Sequence, residues 1–145
     1  MDILLKNLSY FRSNLQELLH TNFPEKAYDS KFISQRSNWA FKAYEGAIQG
    51  ENSEEEAERI ANSILFEDLY FSKFNTIFQV ITYEFDTFFM DEEIRPFSLK
   101  MLTVCGDLFE KYDLTDDFAY STDYDYLYND IKVFISEWIK INFNL

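Results

Sequence analysis

Apolar side chains recur along this chain at steps of three and four, the spacing of one face of an α-helix. Leu5, Leu8, Phe11, Leu15, Leu18 and Leu19 trace a first stripe, which has to end before Pro24. Asp29 or Ser30 is placed to cap a second helix whose inner face carries Phe32, Ile33, Arg36, Trp39, Ala40, Ala43, Tyr44 and Ala47. Gly50 is the expected left-handed stop of that helix. Ser53-Glu54-Glu55-Glu56 has the form of a capping box, with Ala57, Ile60, Ala61, Ile64 and Leu65 as the stripe of a third helix behind it.

Ser72 can cap a fourth helix with Phe74, Ile77, Phe78, Ile81, Phe85 and Phe88 on one side. Asp91 to Arg95 reads as a connection, and Pro96 fits the first turn of a fifth helix through Phe97, Met101, Val104, Cys105, Leu108, Phe109 and Tyr112. Gly106 weakens that helix only modestly. Ser121 or Thr122 then caps a last helix carrying Tyr124, Leu127, Tyr128, Ile131, Phe134, Ile135, Trp138 and Ile139. No strand-length alternation competes, so the expected class is all-α, a compact bundle of five or six amphipathic helices around one aromatic-rich core. Without an internal repeat or a Pro/Gly/Ser linker, residues 1–145 read as a single helical domain.

Composition supports helices and narrows the partners. Three Gly and two Pro leave few turns for an all-β fold. The 26 acidic residues outnumber the 13 basic ones, a net charge of −13 that repels nucleic-acid phosphates and anionic membrane surfaces. The excess is uneven: residues 1–50 are near neutral at +1, while 51–105 carry −8 and 106–145 carry −6. Uninterrupted apolar runs such as Ile64-Leu65-Phe66 are far short of the roughly 18 residues of a membrane span. The start Met1-Asp2-Ile3-Leu4-Leu5-Lys6 lacks a basic region followed by an apolar one, and Cys105 has no second cysteine to pair with. The expectation is a cytoplasmic protein.

The side chains offer little catalytic chemistry. Glu17 and His20 have the Glu-x-x-His spacing of di-iron bundles, but with one His such a site could be completed only in a symmetric dimer. A histidine at a helix C-terminus also suits the dipole, which is the plainer reading of His20. Cys105 lies on an apolar stripe and reads as a small core hydrophobe rather than a thiolate. Gly46, Gly50 and Gly106 match no phosphate-binding spacing. Asp123-Tyr124-Asp125 opens like a calcium loop, yet Leu127 stands at the third ligand place. Glu54, Glu55, Glu56 and Glu58 are placed to complement a helix dipole. Catalytic residues, cofactors and metal ligands are therefore not expected. The alternative is an enzyme or metal protein built on Glu17, His20 or Cys105.

The least ordinary stretch is the Tyr/Asp segment. Tyr112, Tyr120, Tyr124, Tyr126 and Tyr128 are interleaved with Asp113, Asp116, Asp117, Asp123 and Asp125, without a Lys or Arg between Tyr112 and Tyr128. Tyrosine supplies contact area at low entropic cost and carboxylates attract cations, so this mixture suits a surface that docks a Lys/Arg-rich protein. The candidate surface is Tyr112, Asp113, Asp116, Asp117, Tyr120, Asp123, Asp125 and Tyr126. A plainer account makes Tyr124 and Tyr128 core, Tyr126 solvated and the aspartates turn and cap residues. The expected function is a non-enzymatic acidic interaction module, monomeric or homodimeric, with an unidentified basic partner and no direct contact to nucleic acid or membrane.

Several short segments carry a family likeness: Tyr44-Glu45-Gly46-Ala47 before Gly50, Leu69-Tyr70-Phe71-Ser72-Lys73, Glu84-Phe85, Tyr112-Asp113-Leu114, Asp116-Asp117-Phe118-Ala119 and Leu127-Tyr128. With them the chain resembles, over nearly its whole length, a family of short Bacteroidetes proteins known as a domain of unknown function. The resemblance implies a compact helical fold and frequent carriage on conjugative or other mobile elements. In that setting the docking module could act as a DNA mimic, occupying a nucleic-acid-binding protein. Where this chain has Tyr70 the family often has His, so no proton-transfer role carries over at that position. The resemblance assigns no catalytic residue.

Overall fold

The computed structural model describes residues 5–143, and among them every regular element is helical. The α-helices are α1 (Leu8–Asn22), α2 (Ser30–Gln49), α3 (Glu54–Leu65), α4 (Lys73–Glu84), α5 (Asp91–Val104), the single turn α6 (Gly106–Phe109) and α7 (Thr122–Asn142). Short 3₁₀ turns lie at Pro24–Lys26 and Phe118–Tyr120. The all-α expectation holds, and six of these helices are the amphipathic segments traced above. None of the described helices is long and apolar enough to cross a membrane.

The chain divides into two units, Met1–Tyr70 and Phe71–Leu145, each with its own buried apolar cluster. At the division Glu67, Asp68 and Tyr70 are exposed, and Asp68 adopts a left-handed φ of 65° three residues after α3 ends.

In the first unit α2 packs against α3 and α1. Asn7 caps α1 by accepting from the Tyr10 amide at 3.0 Å, so the helix begins at Leu8 and Leu5 stays outside it, exposed. Asp29 caps α2 through the Phe32 amide, and Ser53 caps α3 through the Glu56 amide. Both oxygens of Glu56, expected to reach back to residue 53, are on the Arg59 guanidinium at 3.0 and 2.6 Å. Trp39, expected on the inner face of α2, is 51% exposed. Its neighbour Ala40 is buried with Ala47 of α2 and Ala57 and Ala61 of α3, and this close approach of small residues leaves no room for an indole. The left-handed stop is Glu51 (φ 69°), one residue beyond Gly50, which keeps φ −83°. The Asn52 amide closes the turn on the Ala47 carbonyl at 3.0 Å.

In the second unit α4 packs against α5 and α7, burying Ile77, Val80 and Ile81. It stops at Glu84, so Phe85 is its C-cap and Phe88 lies in the following turn, 40% exposed. The segment read as a connection is the start of α5: Glu93 reaches back to the Met90 amide at 2.8 Å, and Asp91, Glu92 and Glu93 fill the first turn. Pro96 is thereby inside the helix. It can be there because the hydrogen bond it forgoes would fall on the carbonyl of Glu92, and both residues are exposed to water. The fifth stripe breaks between Val104 and Gly106, giving α5 and α6 rather than one helix, with Cys105 buried at the break and Val104 turned out.

Candidate functional site

The Tyr/Asp segment leaves α6 at Phe109 and is held by two inward anchors. The Tyr112 hydroxyl donates to Asp130 Oδ2 of α7 at 2.7 Å. That bond, with burial and the nearby Asp123 charge, pushes the phenol up to about 12. Phe118 is 3% exposed, with ring centroids of Phe71, Tyr112 and Tyr124 at 5.0, 5.7 and 6.4 Å. Its amide closes a turn on the Thr115 carbonyl, and the Ser121 amide returns to Phe118, so the 3₁₀ turn is wound around this one ring.

Ser121, expected to cap α7, instead donates its hydroxyl back to the Phe118 carbonyl at 2.7 Å, and α7 starts without a side-chain cap. Asp123 and Asp125 lie in that uncapped first turn, where their charge meets the positive end of the helix. Tyr124 and Tyr128 point inward, donating to Gln79 Oε1 at 3.3 Å and Glu84 Oε1 at 3.2 Å. Burial and the Glu84 carboxylate push Tyr128 up to about 12. These two are structural, as the plainer account has them.

What remains points to solvent. Asp113, Asp116, Asp117, Asp123 and Asp125 are all exposed, Tyr120 is 91% exposed and Tyr126 61%. Among the described residues none of these five aspartates is in an ion pair. Of the candidate surface, Tyr112 alone is half-buried, and its tie to Asp130 makes it an anchor of the segment rather than a free contact.

Of the other candidate residues, Glu17 and His20 belong to the first unit and Cys105 to the second. Glu17 and His20 are exposed near the end of α1, and the His20 ring meets Tyr28 edge-on at 5.4 Å. Among the described residues no three His, Cys, Asp or Glu side chains are grouped to hold a metal ion. Cys105 is 1% exposed, and burial pushes its thiol up to about 12, the opposite of what a nucleophile requires.

A polar cluster in the first unit has no counterpart among the expectations. Lys6 Nζ bridges Glu54 Oε1 at 2.5 Å and Glu58 Oε2 at 3.2 Å, Tyr10 donates to Glu58 at 2.5 Å, and the buried Tyr44 hydroxyl donates to Glu54. The Lys6 ammonium and Tyr44 hydroxyl hold the Glu54 carboxyl below its ordinary range; the bonds to Glu54 and Glu58 raise Lys6, the Glu58 bond raises the Tyr10 phenol, and burial with the Glu54 bond raises that of Tyr44. Glu54 and Glu58 therefore do more than complement a helix dipole. Each partner is satisfied by another member, so the cluster fastens the approach to α1 onto α2 and α3.

Over residues 5–143 the sequence matches the model of a family described as a domain of unknown function, DUF1896. This chain belongs to that family. Among solved structures it is similar to the crystal structure of protein PG0816 from Porphyromonas gingivalis, at 34% identity and a TM-score of 0.88, with 93% of this chain and 92% of that one covered. The comparison with curated proteins gave no match. The expected likeness to a Bacteroidetes family of unknown function, and the helical fold it implies, are thus established.

Phe118 and Asp130 are what sequence reasoning missed in this DUF1896 chain. Phe118 stood outside every helical stripe, and its signal was its place in the Asp116-Asp117-Phe118-Ala119 segment of the family likeness. Asp130 is 18 residues from Tyr112, a pairing that becomes visible only when α7 is folded back.

Proposed function

We propose that this DUF1896 chain is a non-enzymatic, cytoplasmic interaction module whose Tyr112–Tyr126 surface docks a protein with a Lys/Arg-rich face. The observation that carries the reading is the set of five exposed aspartates and two exposed tyrosines shared between the turn pinned from within by Phe118 and the start of α7, none of the five aspartates being in an ion pair among the described residues. Fixed exposed carboxylates act chiefly on the encounter, because unscreened charge steers a cationic partner over about one Debye length, ~8 Å at physiological salt. The DNA-mimic version, and with it the mobile-element setting, adds that the carboxylates stand in for phosphates. Competition by duplex DNA for the same partner tests that version.

Asp116→Asn with Asp117→Asn is the variant to make, with a Lys/Arg-rich peptide as probe. The expected result is slower association with a flatter ionic-strength dependence and a thermal midpoint nearly unchanged. A loss of about 1 kcal/mol or more of stability with normal association kinetics would make these carboxylates structural and end the reading.

A further inference from the structure

Resting on the docking reading above, we infer that the bound element of the partner is a basic amphipathic α-helix seated along the outer face of α7. Asp123, Tyr126, Asp130, Val133 and Glu137 follow one another at steps of three, four, three and four. On an α-helix this is the seam of a two-stranded coiled coil, with one series of positions acidic (Asp123, Asp130, Glu137) and the other apolar (Tyr126, Val133). The core makes little use of the seam: apart from the Tyr112 hydroxyl on Asp130 and the Lys140 ammonium beside Glu137, its residues face solvent. Val133 is 53% exposed, Tyr126 and Glu137 are exposed, and the core is filled from the opposite side of α7 by Leu127, Ile131, Ile135 and Ile139.

The seam also has a socket. A cavity of about 360 Å³ opens at its middle, floored by Leu108, Val133 and Phe134 and rimmed by Asp130, Glu137 and Lys111. An apolar side chain of the incoming helix fits that floor while lysines or arginines one turn to either side meet the acidic series. Asp130 spends one oxygen on Tyr112 and keeps the other for such a cation. The seam ends at Lys140, which takes the next place of the apolar series and lies 3.9 Å from Glu137. From Asp123 to Glu137 the seam is about 21 Å long at ~1.5 Å per residue, so the matching helix has roughly four turns. Asp125 lies beside the seam's N-terminal end, and the exposed Asp113, Asp116 and Asp117 precede α7 in the chain, so the turn supplies steering charge and α7 the seat.

The probe is a 21-residue helical peptide with Leu at every seventh position and Lys at the positions facing the acidic series, against a scrambled peptide of the same composition. Affinities are measured for the unaltered chain, for Val133→Arg and for Asp116→Asn with Asp117→Asn. Val133 is solvent-exposed, and an unchanged thermal midpoint verifies that its variant folds. The inference expects the patterned peptide to bind at least tenfold more tightly than the scrambled one and Val133→Arg to abolish that difference. Equal binding of both peptides, weakened in both cases by the Asp116/Asp117 variant, overturns the helical seat and leaves the docking surface standing. A tenfold preference that survives Val133→Arg places the peptide elsewhere and also overturns it. No binding of either peptide at millimolar concentration overturns the seat and the docking surface together.

Discussion

Replacing Phe118 with alanine removes the ring around which the acidic turn is wound. A phenylalanine buries about 150–250 Å², and deletion of such a ring from a core costs roughly 3–5 kcal/mol including the cavity left behind. Phe118 is 3% exposed and has three aromatic neighbours, so a value near the middle, about 4 kcal/mol, is expected. Against a usual total of ~5–15 kcal/mol this is a large share, and at about 2–4 °C per kcal/mol the midpoint should fall by roughly 10 °C. The two tryptophans make the assay local: Trp39 lies in the first unit and Trp138 in the second. Trp39 is half in solvent, so Trp39→Phe is a mild change that leaves Trp138 as sole reporter of the unit containing Phe118. Urea titration followed by that fluorescence should show the midpoint shift with the slope preserved. A shift equivalent to under about 1 kcal/mol would mean that the ring is not an anchor, and the argument for a fixed acidic surface would fail with it.

Two further outcomes test the first unit. Glu51→Gly should stabilise the protein by roughly 0.5–1 kcal/mol, since a non-glycine residue at φ 69° carries a steric cost that glycine does not; a chemical-denaturation curve unmoved or moved the other way refutes this. Tyr44→Phe should cost about 1.5–3 kcal/mol, because a buried hydroxyl donating to a carboxylate is lost. The pH profile has a defined sign: Glu54 has its folded value below the ordinary 4.5, so its contribution is fully present above that value and is lost as pH falls through the folded one. Lys6→Met should flatten the acid limb of the stability curve, and an unchanged limb would remove the cluster as its cause.

The helices were legible because their stripes are long and their caps are local. Ser53 and Ser72 each bond an amide three residues on, a distance sequence displays directly. Errors arose where a second constraint outranked the stripe. Trp39 satisfied the period but not the close alanine packing of α2 on α3. Pro96 read as a start signal, yet the Glu93 box captured the backbone six residues earlier, at Met90. The acidic turn was recognisable from composition, while its anchors were not, because Phe118 and the Tyr112–Asp130 pair act through tertiary contact. The Lys6 cluster lies beyond any local rule, with partners 48 residues apart.

That separation also orders events during synthesis. A ribosome adding about 5–20 residues per second needs roughly 2–10 s to travel from Lys6 to Glu54, and throughout that time the lysine and Tyr10 are in the nascent chain without their carboxylates. The first unit can close its polar clasp only after the start of α3 has cleared the exit tunnel. Its buried apolar cluster runs from Phe11 to Leu69, so that cluster can form while the second unit is still being translated. The second unit faces a different schedule: α4 packs against both α5 and α7, and α7 arrives last, so part of the face carrying Ile77, Val80 and Ile81 stays uncovered until translation is nearly complete. The interval in which a chaperone would find apolar surface therefore falls late, on the half of the chain that carries the acidic turn.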